Sequence, residues 1–184
     1  MSESISKATA TVPDGWAERV VLRNATNLLV RPIRPDDDAL MASFVRKISV
    51  ESARNRFHFR RSQLTEAEIH RLTHIDYRKE MAFVAIATVS GQDVETGVSR
   101  YCVDEGETSA EFALLIADEW QHMGIGRILL AKLAAYATSA GLESIHGVAY
   151  STNDAMLTLA KKEGFHVSYV RDEPAISEMK KRLR

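Results

Sequence analysis

The 184-residue sequence is short of cysteine: Cys102 is the only one. A single cysteine closes no internal disulfide and builds no multi-cysteine zinc site, and it fits a reducing, cytoplasmic setting. Net charge is scarce too. The 24 basic and 25 acidic side chains leave a formal charge of −1, without the bulk basic field on which nucleic-acid binding draws. No stretch approaches the ~20 apolar residues of a membrane-spanning helix. Residues 1–12 are polar and small, without the apolar centre of a secretory signal. There is no internal repeat and no long linker. What remains is ordinary for a globular chain, 45% hydrophobic and 27% charged, and long enough to bury one core. Residues 1–15 read as a flexible leader ending in the turn signal Pro13-Asp14-Gly15, and 16–184 as one domain.

Hydropathy periods divide the domain into elements. Two β-type runs, 19–23 and 28–34, flank the gap Asn24-Ala25-Thr26-Asn27 and predict a hairpin. Pro32 has no N–H to give to a ladder, so it predicts an edge or a bulge there. Leu40, Met41, Phe44, Val45 and Ile48 recur at helical spacing behind Asp36-Asp37-Asp38, acidic residues that suit a first turn. A second helical piece covers 50–57. A third starts at the capping box Thr65-Glu66-Ala67-Glu68, with Ile69, Leu72 and Ile75 on its apolar side. Strands follow over 81–89, 96–103 and 109–117, joined by the turns 90–93 and 104–107 as a meander. A long helix over 126–140 ends at Gly141 and packs through Ile128, Leu129, Leu133 and Tyr136. Then come a strand over 144–150, a helix over 153–163 closed by Gly164, a strand over 165–170, and a last segment, 176–183, whose Ile176, Met179 and Leu183 fit a helix but whose place after a turn fits a hairpin strand, the reading taken here. The class is α/β with a mixed sheet, antiparallel first and β-α-β later.

The most informative segment is the apolar strand 110–117 followed by Gln121-His122-Met123-Gly124-Ile125-Gly126-Arg127 and a helix. A helix start leaves about four N–H groups without partners and carries roughly half a positive charge. Glycines there let a bulky diphosphate approach the backbone. Gln121 would add a side-chain amide and Arg127 a charge. Two other glycine motifs are excluded: no third glycine follows Gly126 as a dinucleotide fingerprint requires, and no Gly-Lys-Ser/Thr is present. By itself the pattern also fits a connection whose glycines merely permit packing.

The run Gln121 to Gly126 after an apolar strand resembles the acetyl-CoA motif of the GNAT family of N-acetyltransferases. The segment from Asn153 to Gly164-Phe165, an asparagine-initiated helix ending in Gly-Phe, resembles that family's second motif. Three further stretches, Arg31-Pro32-Ile33-Arg34-Pro35-Asp36-Asp37, Ser52-Ala53-Arg54-Asn55-Arg56-Phe57 and Leu72-Thr73-His74-Ile75-Asp76-Tyr77, are similar to the acetyltransferase domain of bacterial protein lysine acetyltransferases. The large acyl-CoA-synthetase-like part often fused to that domain is not in this sequence. The resemblance implies a mixed, mostly antiparallel twisted sheet of about seven strands flanked by four to five helices. It also implies acetyl-CoA as cosubstrate. Leu114, Leu115 and Ile116 would offer backbone groups to the pantetheine arm in the manner of an added strand. Gln121, His122, Met123, Gly124, Ile125, Gly126 and Arg127 would hold the pyrophosphate, and Asn153 would reach the cofactor. Asn153 equally fits a plain helix N-cap, and both roles are compatible. No metal is implied. One departure stands out. Many family members carry a tyrosine seven residues after the asparagine, thought to protonate the leaving thiolate, and here that position is Ala160.

Acetylating an amine requires its neutral form, and a free lysine amine is about one part in a thousand deprotonated at neutral pH. A positioned base removes that proton. Glu111 is the candidate, the only charged residue in the run 110–117, on the same strand face as Ala113 and Leu115. Apolar surroundings would suit it to act near neutrality, and its Ala-Glu-Phe-Ala context resembles the segment bearing the catalytic glutamate of the lysine acetyltransferases. A solvent-exposed strand start is the plainer alternative. His122 reads as a surface residue, His146 as a core or rim histidine, and Cys102 as a small buried side chain.

Asp104, Glu105 and Glu107, in the turn before Glu111, would form an acidic rim drawing a cationic amine, with Asp76 and Tyr77 on its other side. Arg54, Arg56, Arg60 and Arg61 form a basic group that suits either an acidic partner surface or the nucleotide end of the cofactor. Lys180, Lys181, Arg182 and Arg184 are too few and too terminal to argue for nucleic acid. The expectation is a monomeric or homodimeric cytoplasmic acetyltransferase for protein lysines. The alternatives are a small-molecule amine acceptor and a non-catalytic acyl-CoA-binding module.

Overall fold

The structure, a computed structural model, describes residues 11–57, 64–103 and 106–184, with the side chains of Arg56 and Phe57 outside that description. The elements follow the chain as β1 (Glu18–Val21), β2 (Asn27–Pro32), α1 (Asp38–Lys47), α2 (Val50–Phe57), α3 (Glu66–Thr73), β3 (Glu80–Val89), β4 (Gln92–Val103), β5 (Ser109–Ile116), α4 (Ile125–Ser139), β6 (Ser144–Tyr150), α5 (Asp154–Lys162), β7 (His166–Val170) and β8 (Glu173–Arg182). The sheet has eight strands rather than about seven, in the order β1-β2-β3-β4-β5-β6-β8-β7. Every neighbouring pair is antiparallel except β5–β6. The last segment is a strand, as expected, placed between β6 and β7.

Pro32 takes an edge position, as expected, although β2 as a whole is an inner strand. β2 lies between β1 and β3, but the register with β1 ends at Val30 opposite Glu18. The next residue, Ile33, donates its N–H to Ala82 of β3, so the N–H that Pro32 lacks would face the side where β1 has already stopped. The capping box of α3 is complete: Glu68 donates its N–H to the Thr65 hydroxyl, and Thr65 donates its N–H to the Glu68 carboxylate.

One sheet face carries α4. Leu129, Leu130 and Leu133 of that helix are fully buried, while Ile128 and Tyr136 pack from its half-buried flank. Phe112, Leu114 and Ile116 of β5 point to this side, since Phe112 meets the Phe165 ring at 5.1 Å and a side chain on Gly126 would meet Leu114 and Ile116. The opposite face carries α1 and α3. Met41, Phe44, Val45 and Leu72 of those helices meet Val98, Ala113 and Leu115 of the sheet around a small apolar cavity. Arg31 and Asp37 tie β2 to the turn before α1 through two contacts of 2.6 and 2.7 Å. No helix among the described residues is long and apolar enough to cross a membrane.

Candidate active site

β5 and β6 share only three rungs, Ser109 with Ser144, Ala110 with Ile145 and Glu111 with His146. Beyond them the strands part. The parting point is Gly147, where a Cβ would stand 2.9 Å from both the ring and the carbonyl oxygen of Phe112. Only a glycine admits that approach. From there the edge of β5 that faces β6 has no strand partner.

The gap opens into a cleft of ≈ 970 Å³. Its walls are the second half of β5, Val148 and Ala149 of β6, the start of α5, and Glu51, Ser52 and Asn55 of α2; its end is the turn that leads into α4. Among the residues expected to form the site, Glu111, Leu114, Leu115, Ile116, Gln121, His122, Gly124, Ile125, Gly126, Arg127 and Asn153 all line this one cleft. Met123 is exposed beside it, its sulfur 3.9 Å from the Asn24 side-chain nitrogen.

The turn is shaped by two left-handed residues, His122 with φ 62° and Gly124 with φ 88°. Gly124 is the N-cap of α4, and a Cβ built there meets nothing within 4 Å. Gly124, Ile125, Gly126 and Arg127 line the cleft, so the helix start, where N–H groups lack intrahelical partners, stands at its end, as an anion site requires. Gly126 is tighter, because a Cβ would come within 3.2 Å of Leu159.

Two expected phosphate groups are otherwise engaged. The Gln121 amide donates to the Ile116 carbonyl and to the Ser52 hydroxyl, both at 3.2 Å, so it fixes the turn to β5 and α2, and the Ile116 carbonyl is occupied by it. Arg127 pairs with Glu163 at 2.8 Å. Asn153 caps α5, its side chain accepting the Met156 N–H at 3.1 Å.

Sequence reasoning missed what holds α2 over the cleft. Asp118, in the turn after β5, accepts the Ser49 N–H at 2.9 Å, the Ser49 hydroxyl at 2.7 Å and the Ser52 hydroxyl at 2.8 Å. Burial works to raise the Asp118 carboxyl, and these hydrogen bonds outweigh it and hold it below the usual carboxylate range. Across the cleft, the Arg54 guanidinium lies 5.2 Å from the centre of the Tyr150 ring on β6. Arg54 thus joins α2 to the far wall. Of its expected companions, Arg60 and Arg61 lie outside the described residues, and of Arg56 only the helical backbone is described.

Glu111 occupies the last rung that β5 and β6 share. Its side chain is exposed at the cleft, not enclosed by apolar neighbours as expected, because the widening begins at the next residue. In register it lies between Cys102 of β4 and His146 of β6. His146 is half-buried on the rim. Cys102 is exposed, which corrects the expectation of a buried thiol. His122 is exposed, as expected.

The proposed flank of the acceptor rim is structural. Tyr77 is buried and donates its hydroxyl to the Ile33 carbonyl at 2.8 Å. Asp76 accepts the N–H groups of Arg78, Lys79 and Glu80 and closes a turn. Asp104 and Glu105 lie outside the described residues, and Glu107 is exposed. Ala160 is fully buried.

Comparisons with known proteins agree with this geometry. A family profile described as an acetyltransferase (GNAT) domain matches residues 27–166. An acetyltransferase of Pseudomonas aeruginosa is 33% identical over 165 residues, covering 88% of this chain and 87% of that protein. The crystal structure of the GNAT domain of S. lividans PAT superposes with a TM-score of 0.83 at 26% identity, over 94% of this chain and 99% of that one. The spermidine N-acetyltransferase of Vibrio cholerae, solved with CoA and spermine, shares the fold with a TM-score of 0.66 at 18% identity, over 85% of this chain and 95% of that one.

Proposed function

The chain belongs to the GNAT acetyltransferase family, and from that premise we propose that this acetyl-CoA-dependent N-acetyltransferase modifies lysine side chains of proteins, with Glu111 as general base. The observation that carries the reading is one exposed carboxylate, Glu111, on the last rung before β5 and β6 part.

In this reading the edge of β5 over Leu114, Leu115 and Ile116 receives the pantetheine arm through the backbone groups that remain beside the Ile116 carbonyl, which Gln121 holds. The N–H groups around Gly124 to Arg127 take the diphosphate. Acetyl-CoA supplies the acetyl group as a thioester. Glu111 removes a proton from the acceptor ammonium, directly or through a water, and frees the lone pair that attacks the thioester carbon. Ala160 has no proton to give, so the departing thiolate is protonated from solvent.

The protein-lysine acceptor is supported by the three segments that resemble lysine acetyltransferase domains and by the exposure of Glu111. A long side chain projecting from another protein reaches an exposed base without being enclosed. Residues 16–184 act in this reading as one cytoplasmic catalytic domain behind a short leader.

The test is thiol release from acetyl-CoA against a panel of folded proteins, free lysine and polyamines, with modified sites read by mass spectrometry. Transfer to protein lysines well above transfer to free amines supports the reading. Efficient turnover on a free amine with none on proteins replaces it with a small-molecule acceptor.

A further inference from the structure

On the sheet face that carries α1 and α3, away from the turn at Gly124, three metal-ligating side chains converge. Asp38 opens α1, and His70 and His74 lie one turn apart at the end of α3. A spacing of four residues puts both imidazoles on one side. Their rings stack with centroids 3.5 Å apart. Nδ1 of His70 is 3.2 Å from one Asp38 oxygen, and Nδ1 of His74 is 3.7 Å from the other. All three ligand atoms lie within 4.8 Å of one another, the only such grouping of three or more among the described residues.

The Asp38 carboxylate is prepared as a ligand. The Thr73 hydroxyl donates to it. An aspartate carboxylate is anionic at neutral pH, as a metal ligand must be. Hydrogen bonds from solvent-facing imidazoles return little stability, since the His70 side chain is 60% exposed and that of Asp38 44%. The face-to-face placement of two imidazoles against one carboxylate has a better use.

We propose that Asp38, His70 and His74 bind a divalent transition-metal ion of the zinc class. Bonds of about 2.0–2.2 Å to imidazole nitrogen and carboxylate oxygen put tetrahedral ligand atoms about 3.4 Å apart. The present separations reach that value with shifts of roughly an ångström or a little more. Two nitrogen ligands favour zinc, nickel, cobalt or copper over magnesium and calcium, which take oxygen. Water fills the remaining position on the exposed side. Nδ1 of His74 now lies 3.1 Å from the His70 carbonyl and 2.9 Å from the Thr73 hydroxyl; on binding it trades these for the ion, with its proton moving to Nε2. The ion staples α1 to α3, the two helices that wall the apolar cavity beside Ala113 and Leu115.

The test uses the full untagged chain, stripped with chelator and titrated with Zn²⁺ at neutral pH by calorimetry, with Co²⁺ absorption as a second probe. One equivalent should bind, and saturating Zn²⁺ should raise the thermal midpoint by several degrees. His70→Ala and His74→Ala should each weaken binding at least about tenfold, since losing even a ligand's supporting partner costs that much. Asp38→Asn, which still accepts from Thr73 and so keeps the helices joined, should do the same. His166→Ala, an exposed histidine on β7, should bind as the wild type does. Absence of saturable binding up to about millimolar Zn²⁺, or unchanged affinity in the His70→Ala/His74→Ala double variant, overturns the proposal.

Discussion

Gly147 and Phe112 stand so close that a single added methyl group on Gly147 would come within 2.9 Å of the Phe112 carbonyl oxygen and ring. One obstacle is backbone, so it yields only if β5 moves. This contact sets where the parallel β5–β6 pair ends and the cleft begins. Gly147→Ala should destabilise the fold by about 1–3 kcal/mol, the usual cost of overpacking, and weaken acetyl-CoA binding by shifting the edge of β5. Chemical denaturation and calorimetry check both. Wild-type stability together with wild-type affinity would show that the parting point is set elsewhere.

Gly124 offers the reverse situation, open space but a left-handed backbone. Gly124→Glu brings a side chain and a negative charge to the helix start and strains φ at 88°. Acetyl-CoA affinity should fall well beyond tenfold while the circular dichroism spectrum of the wild type is retained. A folded variant that still binds acetyl-CoA normally would remove the diphosphate from this turn.

Glu95 is 2% exposed, and neither carboxylate oxygen has a hydrogen-bond partner among the described residues. Burial first, and Asp37 second, push its pKa up to about 8 against the pull of Arg31 and Arg100. The folded value thus exceeds the ordinary 4.5, so between these two values the folded state holds a proton that the unfolded state has lost. Stability from this group is full below about pH 4.5 and is progressively lost as pH rises to about 8. Glu95→Gln should flatten the decline and raise stability at pH 8 by a few kcal/mol, following about 1.4 kcal/mol per pK unit. Denaturation midpoints across this range give the answer. Parallel pH profiles for the two proteins would show that Glu95 does not titrate there.

Local chemistry made much of this fold legible. The Thr65–Glu68 capping box, the glycine stops after α4 and α5, and the turns that join the meander are all decided within a few residues. The part of the cleft from β5 through the glycine turn to α4 was legible as well, because those elements are contiguous in the chain, whereas Asn153 came from the family resemblance of its own helix. What stayed illegible depends on distant partners. Asp118 meets Ser49 across 69 positions, which no local pattern announces. The Gln121 amide reads as a phosphate donor until Ser52 and the Ile116 carbonyl are seen to take it. Glu111 sits in an apolar run, yet its strand neighbour departs one residue later and leaves it in solvent. Tyr77 reads as an acceptor-groove residue, and its hydroxyl is committed to Ile33 inside the core.

The central claim is that Glu111 takes the acceptor proton at the head of the cleft. Steady-state turnover of Glu111→Gln at neutral pH, with acetyl-CoA affinity measured alongside, tests it most directly. The substitution keeps shape and hydrogen bonding and removes the base. The predicted result is a fall of about 10²–10⁴-fold in turnover with acetyl-CoA affinity nearly intact, and partial recovery at high pH where the amine loses its own proton. A variant that keeps more than about a third of wild-type activity at neutral pH, far above what loss of a base allows, would contradict it.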